Sequence, residues 1–159
     1  MEISLRDLRD EDRAPIARLL EETGVFRPEE IAVALELVEL ALGNPDQRDY
    51  TFLVADASGA VAGYACWGPT PCTRGTYDLY WMAAAPAFHG QGVARLLLQA
   101  AEDDLVRRKA RLCVIETSSL PPYEAARRFY LKSGYGEVAR IPDFYGPGDA
   151  RVIFTKGLS

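Results

Sequence analysis

Residues Pro86 to Arg95 read Pro-Ala-Phe-His-Gly-Gln-Gly-Val-Ala-Arg and join a strand-like run to a helical one. Gly90 and Gly92 let the backbone take conformations, and approach a ligand, in ways that a Cβ obstructs. Behind them Val93, Leu96, Leu97, Ala100, Ala101 and Leu105 recur at helical spacing, which predicts a helix with one apolar face laid on a sheet. The N–H groups and positive dipole end of such a helix point into the turn, and the group they favour is a phosphate. Two nucleotide readings fail on particular residues. A dinucleotide fingerprint needs Gly or Ala where Arg95 stands, and a P-loop needs a Gly-Lys-Ser/Thr that this chain lacks. A tight turn holding no ligand stays as the plain alternative.

His89-Gly90-Gln91-Gly92-Val93-Ala94 resembles the acetyl-CoA motif of the GNAT superfamily of N-acetyltransferases, Gln/Arg-x-x-Gly-x-Gly/Ala, with His89 at the first position. Ala126-Arg127-Arg128-Phe129-Tyr130-Leu131-Lys132-Ser133-Gly134-Tyr135 is similar to that family's Ala-x-x-Φ-Tyr-x-x-x-Gly-Phe, with Tyr135 replacing Phe. The resemblance covers residues 77–136. It implies a mixed α/β fold: a central, mostly antiparallel sheet, two splayed parallel strands, and flanking helices. It also implies acetyl-CoA as co-substrate and direct transfer of acetyl to a primary amine in a ternary complex. By the same resemblance His89, Gly90, Gln91, Gly92, Val93, Ala94 and Arg95 take the pyrophosphate. Met82, Ala83 and Ala84 then line the pantetheine arm, with Tyr123 beside the cofactor.

Acetyl transfer to an amine sets its own chemical demands. An alkylamine with a pKa near ~10.4 is about three units from neutral at pH 7, which costs about 4 kcal/mol. A carboxylate can accept that proton, and a phenol can donate one to the leaving thiolate. Tyr130 fills the donor position of the family pattern; taken alone it reads as an aromatic packing beside Phe129. Glu116 interrupts the apolar run Leu112–Ile115 and resembles the strand glutamate of the ribosomal-protein N-terminal acetyltransferases, although Pro121-Pro122 lengthens its spacing to Tyr130. Asp78 resembles the position of the catalytic Glu in the histone-acetylating branch, and strand alternation puts it on a face with Tyr80 and Met82. Either acid is a base candidate, and either serves equally as a hydrogen-bonded strand residue. Phe26, Asp143 and Tyr145 sit in segments that overhang the acceptor in this family; Pro142 to Asp149 reads equally as a rigid turn. A non-catalytic acyl-CoA sensor and a plain protein-interaction module are the competing function classes.

The elements around these residues are legible from their periods. A first strand is expected near Glu2–Leu8, then a helix capped by Asp10 or Asp12 and stopped at Gly24. A second helix runs from Pro28, with Ile31, Ala34, Leu35, Val38, Ala41 and Leu42 as a stripe that Val33, Leu37 and Leu40 widen. A buried helix is the expectation, and a homodimer contact is the alternative. Tyr50–Ala57 and Ala60–Trp67 form a hairpin, Tyr77–Ala84 a strand, Gly92–Arg108 a helix and Arg111–Thr117 a strand. A short helix ends before Gly134, and strands Tyr135–Ile141 and Arg151–Lys156 flank a turn-rich loop, Pro142–Asp149. One acetyltransferase domain over residues 1–159 is expected.

Composition narrows the classes further. Eighteen Lys and Arg against 23 Asp and Glu give a formal charge of −5, which disfavours a nucleic-acid partner and suits a small-molecule or peptide amine. Cys66 and Cys113 read as buried hydrophobes, Cys72 as a loop residue, and none is placed for a covalent relay. No spacing of Cys and His suits zinc, so no metal is expected. The apolar stretch Ile31–Leu42 is too short to span a bilayer and Met1-Glu2-Ile3-Ser4 lacks a signal-peptide layout. A cytoplasmic location away from membranes is the expectation.

Overall fold

The computed structural model describes residues 2–158. Its strands are β1 (Ile3–Arg6), β2 (Thr51–Ala57), β3 (Ala60–Pro69), β4 (Thr76–Ala84), β5 (Leu112–Ser118), β6 (Gly136–Gly146) and β7 (Asp149–Gly157). Its helices are α1 (Arg13–Glu22), α2 (Pro28–Gly43), α3 (Val93–Arg107) and α4 (Glu124–Lys132). The strands form a mixed sheet in the order β1-β2-β3-β4-β5-β7-β6, antiparallel except for the β4–β5 pair. The chain divides into two compact units. One holds the residues up to Gly68 together with Tyr80–Asp104, the other Pro69–Leu79 together with the residues from Leu105 onward.

In the first unit, Ile16, Leu19 and Leu20 of α1 and Ala34 and Val38 of α2 bury against Phe52, Val54, Tyr64 and Cys66 of the β2–β3 hairpin. Only part of the α2 stripe goes under, because Val33 and Leu40 stay exposed. β3 is buried on both faces. Tyr64 and Cys66 meet α1 and α2, and the alternate residues Gly63 and Trp67 meet the start of α3 and Asp104. Gly63 is required there, since a Cβ would stand 2.7 Å from the Ala83 carbonyl oxygen and 2.8 Å from a Val93 methyl. The buried stripe of α3 is Val93, Leu97, Leu98, Ala101 and Leu105. Leu96, expected in it, is 41% exposed. At 3.6 residues per turn, the face set by the other four sequence-named positions that go under turns Leu96 away.

Charge shapes the start of the chain. Asp12 holds the N-cap position of α1 without a side-chain bond to that helix, contrary to its expected capping role. The residue is 1% exposed, and its carboxylate accepts hydrogen bonds from the Arg9 N–H at 2.8 Å and from two Arg6 nitrogens at 2.9 Å. A buried carboxylate needs a cation more than a solvated helix end needs a cap. Arg6 also reaches Asp56 at 2.9 Å, and Asp56 accepts from the Gly59 N–H at 2.7 Å to close the β2–β3 turn.

Tyr64 is fully buried and its hydroxyl has no hydrogen-bond partner among the described residues; burial, with a smaller push from Cys66, raises its phenol well above the ordinary value. An orphan buried hydroxyl is destabilising, so Tyr64→Phe is expected to leave stability unchanged or raise it by about 1 kcal/mol. Urea unfolding measures this, and a loss above about 1 kcal/mol would show that the hydroxyl is satisfied.

In the second unit β5 pairs over its whole length with Arg151–Gly157 of β7. Cys113, Ile115, Thr117, Val152 and Phe154 form a buried face, on which Tyr130 of α4 packs. The expected loop over Pro142–Asp149 is mostly strand: β6 runs to Gly146 and β7 starts at Asp149. The ladder nonetheless jumps from Ile141 opposite Arg151 to Gly146 opposite Asp149. Pro142 has no N–H to give the ladder, and Asp143 adopts φ +56°, so Pro142–Tyr145 bulge out.

Candidate active site

In the first unit a 3-10 turn at Pro86–Phe88 leads into the glycine pair, with the His89 N–H on the Pro86 carbonyl at 3.2 Å and the Gln91 N–H on that of Phe88 at 3.3 Å. Gly90 and Gly92 take φ +80° and +78°, and a Cβ built on either meets nothing within 4 Å. Glycine is therefore demanded by the backbone, with the space beyond left open. The Leu96 N–H bonds the Gly92 carbonyl at 3.0 Å, which makes Gly92 the N-cap of α3. The N–H groups of Val93, Ala94 and Arg95 then have no carbonyl one turn earlier. Val93 is buried and anchors the turn, while His89, Gly90, Gln91, Gly92 and Arg95 are exposed. At the end of β4, Ala83 is buried and Met82 and Ala84 are half-buried. Phe26 packs edge-on to Trp81 at 5.3 Å and lies against the apolar core.

In the second unit β4 runs parallel to β5 over Thr76–Leu79, opposite Leu112–Ile115. That register stops at Leu79, whereas β5 continues to Ser118 against β7. Asp78 lies opposite Val114, so it shares a face with Glu116, two residues further along. Asp78 accepts a hydrogen bond from Thr70 at 2.6 Å, and Glu116 is bonded by Arg151. Tyr130 lies on the opposite face of β5, its ring 5.9 Å from Phe154 and 6.2 Å from Tyr135. Burial, helped by Cys113, pushes its phenol up to about 12. Tyr123 ends the 3-10 turn Pro121–Tyr123, which absorbs the extra length before α4. Asp143 accepts the Gly148 N–H at 2.8 Å, closing the hairpin end, and Tyr145 stands edge-on to Phe144 at 5.0 Å. Two further polar pieces carry no motif signal: Arg151, and the buried Ser118–Asp149 hydrogen bond at the end of β5.

Residues 48–137 match the model of the GNAT acetyltransferase domain. The chain belongs to the GNAT acetyltransferase family. A solved GNAT-family chain from Desulfovibrio desulfuricans is 38% identical, with 99% of this chain and 100% of that one covered and a TM-score of 0.92. Two more distant structures share the GNAT fold. The ribosomal-protein-S18-alanine N-acetyltransferase of Escherichia coli is 20% identical, covering 99% and 95% of the two chains at TM-score 0.77. The protein yncA of Salmonella typhimurium, solved with its cofactor acetyl-CoA, is 21% identical, covering 100% and 95% at TM-score 0.77. No curated protein matches the chain by sequence.

The second motif of this GNAT acetyltransferase is α4 from Ala126 onward, with its stop. Gly134, at φ +92°, turns the chain so that the Tyr135 N–H bonds the Tyr130 carbonyl at 3.0 Å. Cys66 and Cys113 are buried and Cys72 is exposed, as their surroundings in the sequence suggested. Among the described residues no group of three His, Cys, Asp or Glu could hold a metal, and no helix is long and apolar enough to cross a membrane.

Proposed function

We propose that this enzyme transfers acetyl from acetyl-CoA to a primary amine of a small molecule or peptide by direct attack, the whole chain serving as one transferase domain. The turn carries this reading: two glycines at positive φ face open space beside three helix N–H groups that lack internal acceptors. His89–Arg95 hold the pyrophosphate, Met82, Ala83 and Ala84 line the pantetheine, and Tyr123 lies beside the cofactor. The end of the β4–β5 register at Leu79 supports the pantetheine assignment, since later β4 backbone groups lie outside that ladder. Tyr130 donates to the departing thiolate. Glu116 is the first candidate to accept the amine proton and Asp78 the second. Both carboxylates stand on the face of β5 opposite Tyr130, so acid and base are separate groups in this reading. Phe26, Asp143 and Tyr145 contact the acceptor. Burial of two of the three thiols supports direct attack without a cysteine relay.

The test is acetyl-CoA consumption against an alkylamine, an amino acid, an aminoglycoside and a peptide with a free N-terminus, with products weighed by mass spectrometry. An N-acetylated product is expected from at least one class. Glu116→Gln should lower kcat about 100-fold or more and Asp78→Asn less. The reverse order would transfer the base role to Asp78, and full activity in both variants would remove it from each.

A further inference from the structure

We propose that Arg151 is a positioning residue that orients Glu116 for proton transfer, an inference that rests on reading Glu116 as the base. The sheet register brings the two together. Glu116 lies opposite Ile153 and Ser118 opposite Arg151, so Glu116 and Arg151 are diagonal neighbours on one face of the β5–β7 ladder. The Arg151 Nη2 donates to Glu116 Oε1. The guanidinium is held from a second side by Phe144, whose ring centre lies 4.8 Å from its central carbon. The side chains of Glu116 and Arg151 are 33% and 26% exposed, so the pair is neither a fully solvated contact nor a sealed structural bridge.

The pose has an observable cost. The Arg151 Nε is buried and has no hydrogen-bond partner among the described residues. An arginine serving only to tie the sheet together would be expected to satisfy that donor. Here its orientation follows Glu116 and Phe144 instead. The hydrogen bond to Glu116 also leads the influences that keep Arg151 charged; burial opposes it, and Tyr145 and Asp78 assist.

The consequence for the reaction is geometric. A general base must present a lone pair within hydrogen-bond reach of the proton it takes. A glutamate carboxylate on a strand otherwise turns about three side-chain bonds. Arg151 occupies Oε1 and so aims Oε2 at the acceptor, whose ammonium N–H gives its proton to Oε2 and keeps the electron pair for attack.

A double-mutant cycle tests this, using the fastest acceptor of the panel above. Arg151→Met should lower kcat about 10- to 100-fold with the KM for acetyl-CoA unchanged, and Arg151→Lys should restore part of it. In a Glu116→Gln background Arg151→Met should have little further effect. Should the Met variant not fold, Arg151→Gln takes its place. Without any acceptor, the Tm losses of Arg151→Met and Glu116→Gln should sum to more than that of the double variant. Wild-type kcat in Arg151→Met, kinetic losses that simply add, or Tm losses that simply add would each overturn the positioning role while leaving Glu116 as base. Full activity in Glu116→Gln would overturn both.

Discussion

Tyr130→Phe is expected to lower kcat about 100- to 1,000-fold while leaving the fold and CoA binding in place. The ring is 8% exposed and packs among Phe129, Tyr135 and Phe154 at 5.8, 6.2 and 5.9 Å, contacts that Phe keeps. Only the hydroxyl is lost. With its phenol pushed up to about 12 by burial and by Cys113, the side chain holds its proton throughout the neutral range and is a weaker acid than free phenol. In the proposed role its contribution would be a hydrogen bond that strengthens as charge develops on the departing sulfur. A raised value means that the proton is lost only on the alkaline side, so Tyr130 imposes no alkaline limb on kcat up to about pH 10. Wild-type kcat in Tyr130→Phe across pH 6 to 10 would reduce Tyr130 to a packing residue.

Arg6→Met is expected to cost about 3–5 kcal/mol of stability, seen as a Tm lower by roughly 10 °C. The side chains of Arg6 and Asp12 are 16% and 2% exposed, and Arg6 is also bonded to Asp56 beside the hairpin turn. Burial alone would push Asp12 up, but the Arg6 hydrogen bonds and the Arg9 N–H together hold it below its ordinary value. A lowered carboxylate contributes stability that is present above its unfolded value, near pH ~4, and is lost as pH falls through the folded one. The deficit of Arg6→Met should therefore be largest at neutral pH and shrink on acidification. Calorimetry at pH 7 and pH 3 measures both, and an equal deficit at the two would point to lost packing of the Arg6 stem.

Local signals made much of this enzyme legible. Ser58 and Gly59 both take positive φ in the hairpin expected between two apolar runs. Gly134 stops α4 where the sequence placed a helix end, and the glycine turn opens α3 one residue later than expected, at Val93. What escaped required knowledge of register. Arg6 and Asp56 are fifty residues apart, and Arg151 and Glu116 thirty-five, with no period linking them. β6 continued through Pro142 because a bulge absorbed the missing N–H, which composition alone reads as a loop. Leu96 and Leu98 are equally apolar, so only packing separated the exposed one from the buried one.

Thermal denaturation with CoA probes the proposed cofactor cradle at Gly90 and Gly92. At a hundredfold excess over Kd, CoA should stabilise the native state by about 2.7 kcal/mol, a Tm rise of roughly 5–10 °C. ATP and NAD should give far smaller shifts. Gly92→Val strains a φ of +78° and fills the open space above the helix N–H groups, so it should abolish the CoA shift. No rise with CoA, or an equal rise in Gly92→Val, would mean that the turn does not hold the cofactor.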